Sequence, residues 1–409
     1  MKSLNPLNTI DPMVWFLGDE DVKERLAKVS RIVSQTKNKK VIQQIFYETL
    51  EPIQDRLPWP FKVLFYSGRL SPKLLAKELD FGFRLFAGRF IAGNDIPSIA
   101  KGINAYHKMG STGSAANIDV LGDAVLSEKE AEEYVAYYMH VFQELPRYLL
   151  PGVDVSASIK ISAAFSQISP TRPEYSADVI CERFDPFFAY MHKRGSHIYL
   201  DALEKDYREI QLLVFKRFYR KYGDTAANVL QSYFIDSADI QEELIREKAD
   251  VGAELLNRLV MGAYHLFEQL TAELRNWQTP VHLKKENTVR NFCELWLRGI
   301  AGGLSMISGT NNARLLVFAL RNGAKEIQLI FGMGEPYAEV LNHYHVPNRF
   351  YRPILLTKSY AQGIGYLLRR VEDITGIESY LRMLYYHRNE ELNMFEKGIK
   401  DFVQHGGLQ

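Results

Sequence analysis

Arg369 and Arg370 stand side by side in the stretch Gly363–Asp373, and Asp373 follows them. On a helix, Asp373 lies four and three positions beyond the two arginines and can reach back to either guanidinium. A double arginine fork steadied by a carboxylate suits a carboxylate or phosphate ligand. A solvated charged face is the plain alternative. Lys160 is the next candidate, set among the small and apolar residues of Ser156–Ala164. A buried lysine can act as a Schiff-base nucleophile if burial frees its amine, or serve as a further cation for a substrate carboxylate. Asp201 reads either as a site carboxylate or as the cap of the next helix. Tyr264 and Tyr351 read as walls. Gly332-Met-Gly-Glu-Pro336 is a site loop or a tight turn, with Glu335 favoured by a helix dipole. His343-x-His345 has no third ligand in sight and reads as loop histidines. No Ser/His/Asp or Cys/His nucleophile arrangement stands out.

The elements that must position these groups follow from periodicity. Tyr366, Leu367, Leu368, Val371 and Ile374 give the arginine stretch an apolar body, and Gly363, Gly365 and Gly376 bracket it, which predicts a helix. From about residue 110, short β-prone runs alternate with helical patterns. The runs are Ala115–Leu121, Val155–Ile161, His197–Leu203, Asn228–Phe234, Leu255–Ala263, Gly303–Gly309, Glu326–Phe331 and Arg349–Leu356. The first intervening helix, Glu128–Leu145, opens on the capping box Ser127-x-x-Glu130. Eight strand–helix units in series predict parallel pairing and an α/β fold of the (β/α)8 TIM-like barrel type. A doubly wound sheet is the competitor, but no Gly-x-Gly-x-x-Gly turn opens any of the helices. In a barrel the site lies where strands end and helices begin. Asp119, Lys160, Asp201, Gln231, Tyr233, Arg258, Tyr264, Thr310, Asn311, Asn312 and Tyr351 all fall on or at the ends of these strands. The arginine helix follows the eighth strand, at the usual anion position of such barrels.

Residues 1–109 read as an N-terminal helical segment, 110–390 as the barrel and 391–409 as a C-terminal helix and tail. Pro58-Trp-Pro60 interrupts the helical segment, and Phe61–Tyr66 beyond it is core, a partner surface or a membrane-surface contact. The chain has 409 residues, 46% of them hydrophobic, and a formal net charge of +1. That balance argues against a nucleic-acid partner, which calls for a basic face. Two cysteines, Cys181 and Cys293, indicate no disulfide framework and fit a reducing, cytoplasmic compartment. No apolar run reaches membrane-spanning length, which predicts a soluble or membrane-peripheral protein.

Tyr366-Leu-Leu-Arg-Arg370 resembles the signature of the proline dehydrogenase family, which includes the proline dehydrogenase domain of the bifunctional bacterial proline-utilisation enzymes. Ala87-Gly-Arg-Phe-Ile-Ala-Gly93, Asp119-Val-Leu-Gly-Asp123, Val155–Ala163, Tyr199–Glu204, Arg258–Tyr264, Asn311-Asn-Ala313 and Phe331–Pro336 match the family in order. The resemblance covers roughly residues 85–385. It implies a distorted (β/α)8 barrel that holds FAD at the C-terminal ends of its strands. It further implies that Arg369 and Arg370 bind the proline carboxylate with Lys160 as a third cation. Asp201 matches a polar site carboxylate, Tyr264 and Tyr351 the aromatic walls, and Ile330 an aliphatic closure. Asp373 stands where the family has a glutamate.

Around the flavin, Arg258 matches an arginine near N5 and Gln231 a glutamine beneath the ring. Here the chain departs from the pattern. Met261 replaces a lysine, Thr310-Asn311-Asn312 replaces Thr-His-Asn, and Leu283-Lys284-Lys285 replaces Thr-Arg-Lys, which leaves Lys284 and Lys285 as candidates for the charge that Met261 lacks. The expected activity is oxidation of L-proline to 1-pyrroline-5-carboxylate by hydride transfer to FAD. A quinone is the implied electron acceptor, met at a peripheral membrane contact. A pyrroline-5-carboxylate dehydrogenase is the implied downstream partner. Hydroxyproline oxidation, Schiff-base chemistry at Lys160, and a flavin-free barrel that binds an amino acid or a partner are the alternatives.

Overall fold

A computed structural model describes residues 21–108, 115–121, 125–355 and 388–404, apart from residues 23, 27, 30–35, 37 and 58. Arg369, Arg370 and Asp373, and the helix expected to carry them, lie outside the described residues. The chain divides into two compact units, residues 1–91 with 357–389 and residues 92–356 with 390–409.

In the first unit, α1 spans Lys39–Leu50, α2 Trp59–Leu70 and α3 Pro72–Phe90. The sequence predicts one helix from Lys40 to Leu57. The α-helix instead stops at Leu50 and a 3-10 turn covers Glu51–Arg56, because Pro52 has no N–H to continue the ladder. The aromatic run Phe61–Tyr66 belongs to α2. Phe65 is buried with its ring 4.9 Å from that of Phe46, whereas Val63 and Tyr66 face solvent.

The second unit opens with α4 (Ile96–Lys108), followed by β1 (Ala115–Val120) and α5 (Glu128–Glu144). Then come β2 (Val155–Ile159), α6 (Pro173–Lys193), β3 (Ile198–Leu200), α7 (Arg208–Tyr222), β4 (Ala226–Gln231) and α8 (Ser237–Val251). The chain continues through β5 (Leu256–Val260), α9 (His265–Leu274), α10 (Lys285–Ala301), β6 (Ser305–Ser308) and α11 (Ala313–Arg321). It closes with β7 (Glu326–Ile330), α12 (Glu335–His343), β8 (Asn348–Ile354) and α13 (Arg388–Gln404). The strands form a closed parallel barrel in chain order. β8 pairs back onto β1 with Tyr351 opposite Asn117.

This register assigns every second residue to the lumen. Ile118 and Val120 face outward into the main core beneath the helices, with Tyr134 and Tyr138 of α5. Their neighbours Asn117 and Asp119 face inward, level with Ser156 and Ser158 of β2. One side of the lumen is apolar, lined by Tyr199, Ala227, Val229, Leu256 and Ile307. The other side is polar and carries charge. At the start of α5, the Ser127 hydroxyl accepts from Glu130 N–H at 3.3 Å. The Glu130 carboxylate accepts from Leu126 N–H at 2.8 Å, one residue before the position that a reciprocal box would use.

Candidate active site

At the C-terminal end of the lumen, two ion pairs face each other. Lys160 follows β2 and places Nζ 3.1 and 3.0 Å from the two carboxylate oxygens of Asp119, at the end of β1. Arg258 of β5 donates through Nη2 to Oδ1 of Asp201, which follows β3. Tyr351 of β8 joins the pairs. Its hydroxyl lies 2.6 Å from Asp119 Oδ2 and 2.8 Å from Asp201 Oδ2. Five side chains from five strands thus form one chain of contacts across the barrel. Periodicity alone locates them at strand ends; only the closed register brings them together.

The electrostatics follow from burial. Asp119 is fully buried and the Lys160 side chain is 12% exposed. Burial pulls the Lys160 ammonium toward the neutral form. Asp119, with smaller contributions from Tyr134, Asp201 and Tyr264, outweighs that effect and holds its pKa above the ordinary value. Lys160 is therefore a fixed cation. A Schiff-base nucleophile needs the opposite, a free amine.

Arg258 is 5% exposed. Its Nη1 donates to Gln328 at 2.9 Å and its Nη2 reaches Ser158 at 3.2 Å. Its Nε is buried and has no partner among the described residues. The guanidinium also lies over the rings of Tyr199 and Tyr351, at 4.8 and 5.5 Å from their centroids. Gly309 makes room for this side chain, since a Cβ there would sit 3.1 Å from Arg258 Cγ and 2.8 Å from Val260 Cγ1. A second unpartnered buried donor, Asn311 Nδ2, lies beyond the end of β6. Its Oδ1 accepts from Ile330 N–H at 3.4 Å.

The remaining expected residues hold other positions. Gln231 is spent on the backbone, donating to Leu203 C=O at 2.8 Å and accepting from Ala263 N–H at 3.2 Å. Thr310 accepts from Asn312 N–H, and Asn312 caps α11 by accepting from Leu315 N–H at 3.1 Å. Tyr264 sits at the cap of α9, close enough to Lys160 to act on its charge. Asp201 caps no helix; its carboxylate is held by Arg258 and Tyr351. Met261 packs against the core outside the barrel, with Sδ 3.9 Å from the Ser232 hydroxyl. Lys284 is exposed at the N-terminal cap of α10, and Lys285 begins that helix. Glu335 closes its own turn by accepting from Gly332 N–H at 2.7 Å.

Sequence reasoning places Asp119 at a strand end without giving it a role, and passes over Ser158 and Gln328. Strand parity is the available signal, because Asp119 and Ser158 share a lumen-facing register and Gln328 precedes Ile330 by two residues.

A family model described as proline dehydrogenase matches residues 102–383. The bifunctional protein PutA of Klebsiella aerogenes is 25% identical over 331 residues, covering 74% of this chain and 24% of that protein. Proline dehydrogenase 1 of Bacillus subtilis subsp. natto is 25% identical over 201 residues, covering 49% of this chain and 59% of that protein. The chain thus spans about a quarter of the length of the curated bifunctional relatives. Among solved structures, proline utilization A from Bdellovibrio bacteriovorus inactivated by N-propargylglycine superposes with a TM-score of 0.77 at 22% identity. That superposition covers 95% of this chain and 40% of the other.

Proposed function

Because this chain belongs to the proline dehydrogenase family, we propose that it oxidises L-proline to 1-pyrroline-5-carboxylate with FAD as the hydride acceptor. The observation that carries this reading is the bridged pair of ion pairs at the lumen mouth, with the buried Arg258 Nε beside it as an unused donor.

The residues present fit a flavin. Arg258 Nε and Asn311 Nδ2 are buried donors without partners among the described residues, and a flavin ring system offers nitrogen and oxygen acceptors. Arg258 and Asn311 would hold the ring, and Gln231 would brace the β4 and β5 ends beneath it. Met261 carries no charge, so the cofactor's phosphates fall to Lys284 and Lys285. When bound, FAD supplies the two-electron acceptor that no side chain provides. The protein's own contribution is positioning and charge. Lys160 presents a permanent cation to the substrate carboxylate, and the family resemblance assigns Arg369 and Arg370, which lie outside the described residues, to the same carboxylate. Tyr264, Tyr351 and Ile330 shape the pocket around the ring. Electrons would leave to a quinone.

The test is turnover by purified protein supplied with FAD and a dye acceptor, with the cyclic imine trapped by ortho-aminobenzaldehyde. L-Proline should yield the coloured adduct. An adduct formed faster from hydroxyproline would transfer the reading to that substrate. No adduct from either would refute it.

A further inference from the structure

We infer that Asp201 accepts a proton from the ammonium group of the bound amino acid, that Tyr351 receives the resulting hydrogen bond, and that Asp119 is the positioning carboxylate that fixes the tyrosine hydroxyl for this purpose. The inference rests on reading the site as an amino-acid dehydrogenase, and it concerns what happens to the substrate nitrogen there.

The protons at this site can be counted. Two carboxylate oxygens, one each from Asp119 and Asp201, lie 2.6 and 2.8 Å from a single phenolic oxygen. A phenol carries one proton and an ionised carboxylate carries none. With both carboxylates ionised, the one phenolic hydrogen is shared between the two contacts. One added proton completes both. The charges agree with this. Lys160 and Arg258 balance Asp119 and Asp201, so the group is neutral as it stands and becomes cationic when it gains a proton, which suits a bound carboxylate.

Burial decides where the proton enters. Asp119 is sealed, and both its oxygens are engaged by Lys160. The Asp201 side chain is 12% exposed, with Oδ1 on Arg258 and Oδ2 toward Tyr351. In the proposed step, an N–H bond of the secondary ammonium breaks and its electron pair stays on nitrogen. An O–H bond forms at Asp201 Oδ2 and donates to Tyr351 Oη, while Tyr351 donates to Asp119. The amine then has the lone pair that hydride loss from the adjacent carbon requires.

Arg258 disfavours protonation of its partner. The completed hydrogen bond favours it, as does removal of an ammonium from the end of the lumen that already holds Lys160 and Arg258. Among the described residues, the other ionisable groups facing the cluster are Tyr264 from the start of α9, Tyr134 and Tyr138 of α5 behind β1, and Tyr199 of β3 below Arg258, with the Arg349–Glu326 pair deeper in the lumen.

Flavin reduction by proline, followed by stopped flow from pH 6 to 10, tests the step. With wild-type protein the rate should level off by neutral pH. With Asp201→Asn, solvent must remove the proton, so the rate at pH 7 should fall ~10²-fold and recover toward wild type as pH approaches the pKa of the free amine. Tyr351→Phe, which keeps both ion pairs, should move the acid limb the same way by a smaller amount. A uniform loss at every pH in both variants would show a structural role only and overturn the proposal. Wild-type protein whose flavin proline never reduces would instead refute the dehydrogenase reading, and the proposal with it.

Discussion

Arg349 and Arg258 enter the same lumen from β8 and β5, and their surroundings differ. Arg349 lies at the N-terminal end. Its Nε contacts both oxygens of Glu326 at 3.0 and 3.1 Å, Nη1 reaches Ser156 at 2.9 Å and Nη2 reaches Asp154 at 2.7 Å. Every guanidinium nitrogen is used. Burial opposes its charge, but Glu326 and Asp154 outweigh that and keep its pKa raised. Arg258, at the C-terminal end, leaves Nε unpaired. Its partner Asp201 also shares a phenol with a second carboxylate. The two ends apply the same ingredients differently. The lower network is satisfied and closed, as a structural ion pair must be. The upper one retains buried donors without partners among the described residues, a pattern that clusters at functional sites.

The contrast can be broken at either end. Arg349→Ala strips Glu326 and Asp154 of their cation inside a packed lumen, and should cost on the order of 3–5 kcal/mol in denaturant unfolding. At the upper rim, Gly262 holds φ +128°, and a Cβ there would lie 1.6 Å from the Tyr233 ring. Gly262→Ala should therefore cost about 3 kcal/mol, by strain and overlap together, read as a lowered melting temperature. Arg258→Met should reverse the balance between stability and rate. Loss of a preorganised donor should cut the reduction rate ~10²-fold, with an unfolding penalty below that of Arg349→Ala, because Asp201 is partly open to water. A penalty as large as that of Arg349→Ala would erase the distinction between the two ends. The smallest effect is the variation with pH, between pH 6 and 9, of the stability lost in Lys160→Met. The folded pKa of Lys160 lies above its unfolded value of about 10.4, so its stabilisation is full below that pH and is lost only as pH rises through the folded value. The stability gap between wild type and Lys160→Met should be flat from pH 6 to 9 and narrow above about pH 10.4.

Much of this is legible in the order of residues along the chain. Small, apolar neighbours mark Lys160 for burial or a site, and the eight strand runs mark the barrel. Partnership is not legible in the same way. Nothing local to Asp119 says that Lys160 and Tyr351 converge on it, because those contacts join residues 41 and 232 positions apart. Asn312 shows the same limit: its resemblance to a cofactor residue gives no sign that its side chain caps α11. Helix α9 shows a further limit. Its Leu266, Phe267, Leu270 and Leu274 face solvent, while Glu268 and Ala272 are buried. Periodicity identifies a helix there, yet an apolar stripe does not say which way it points. Glu268 tolerates burial because it accepts from Lys205 N–H at 2.7 Å and because desolvation raises its pKa. The stop of α1 before Pro52 is written in the sequence, but a longer periodic run masks it.

The most direct test of the central claim is the anaerobic visible spectrum of the purified protein as L-proline is added. The expected result is a bound flavin whose absorption band bleaches with proline and returns when an acceptor is supplied. A colourless protein that takes up no added FAD, or a flavin band that proline leaves unchanged, would contradict the claim.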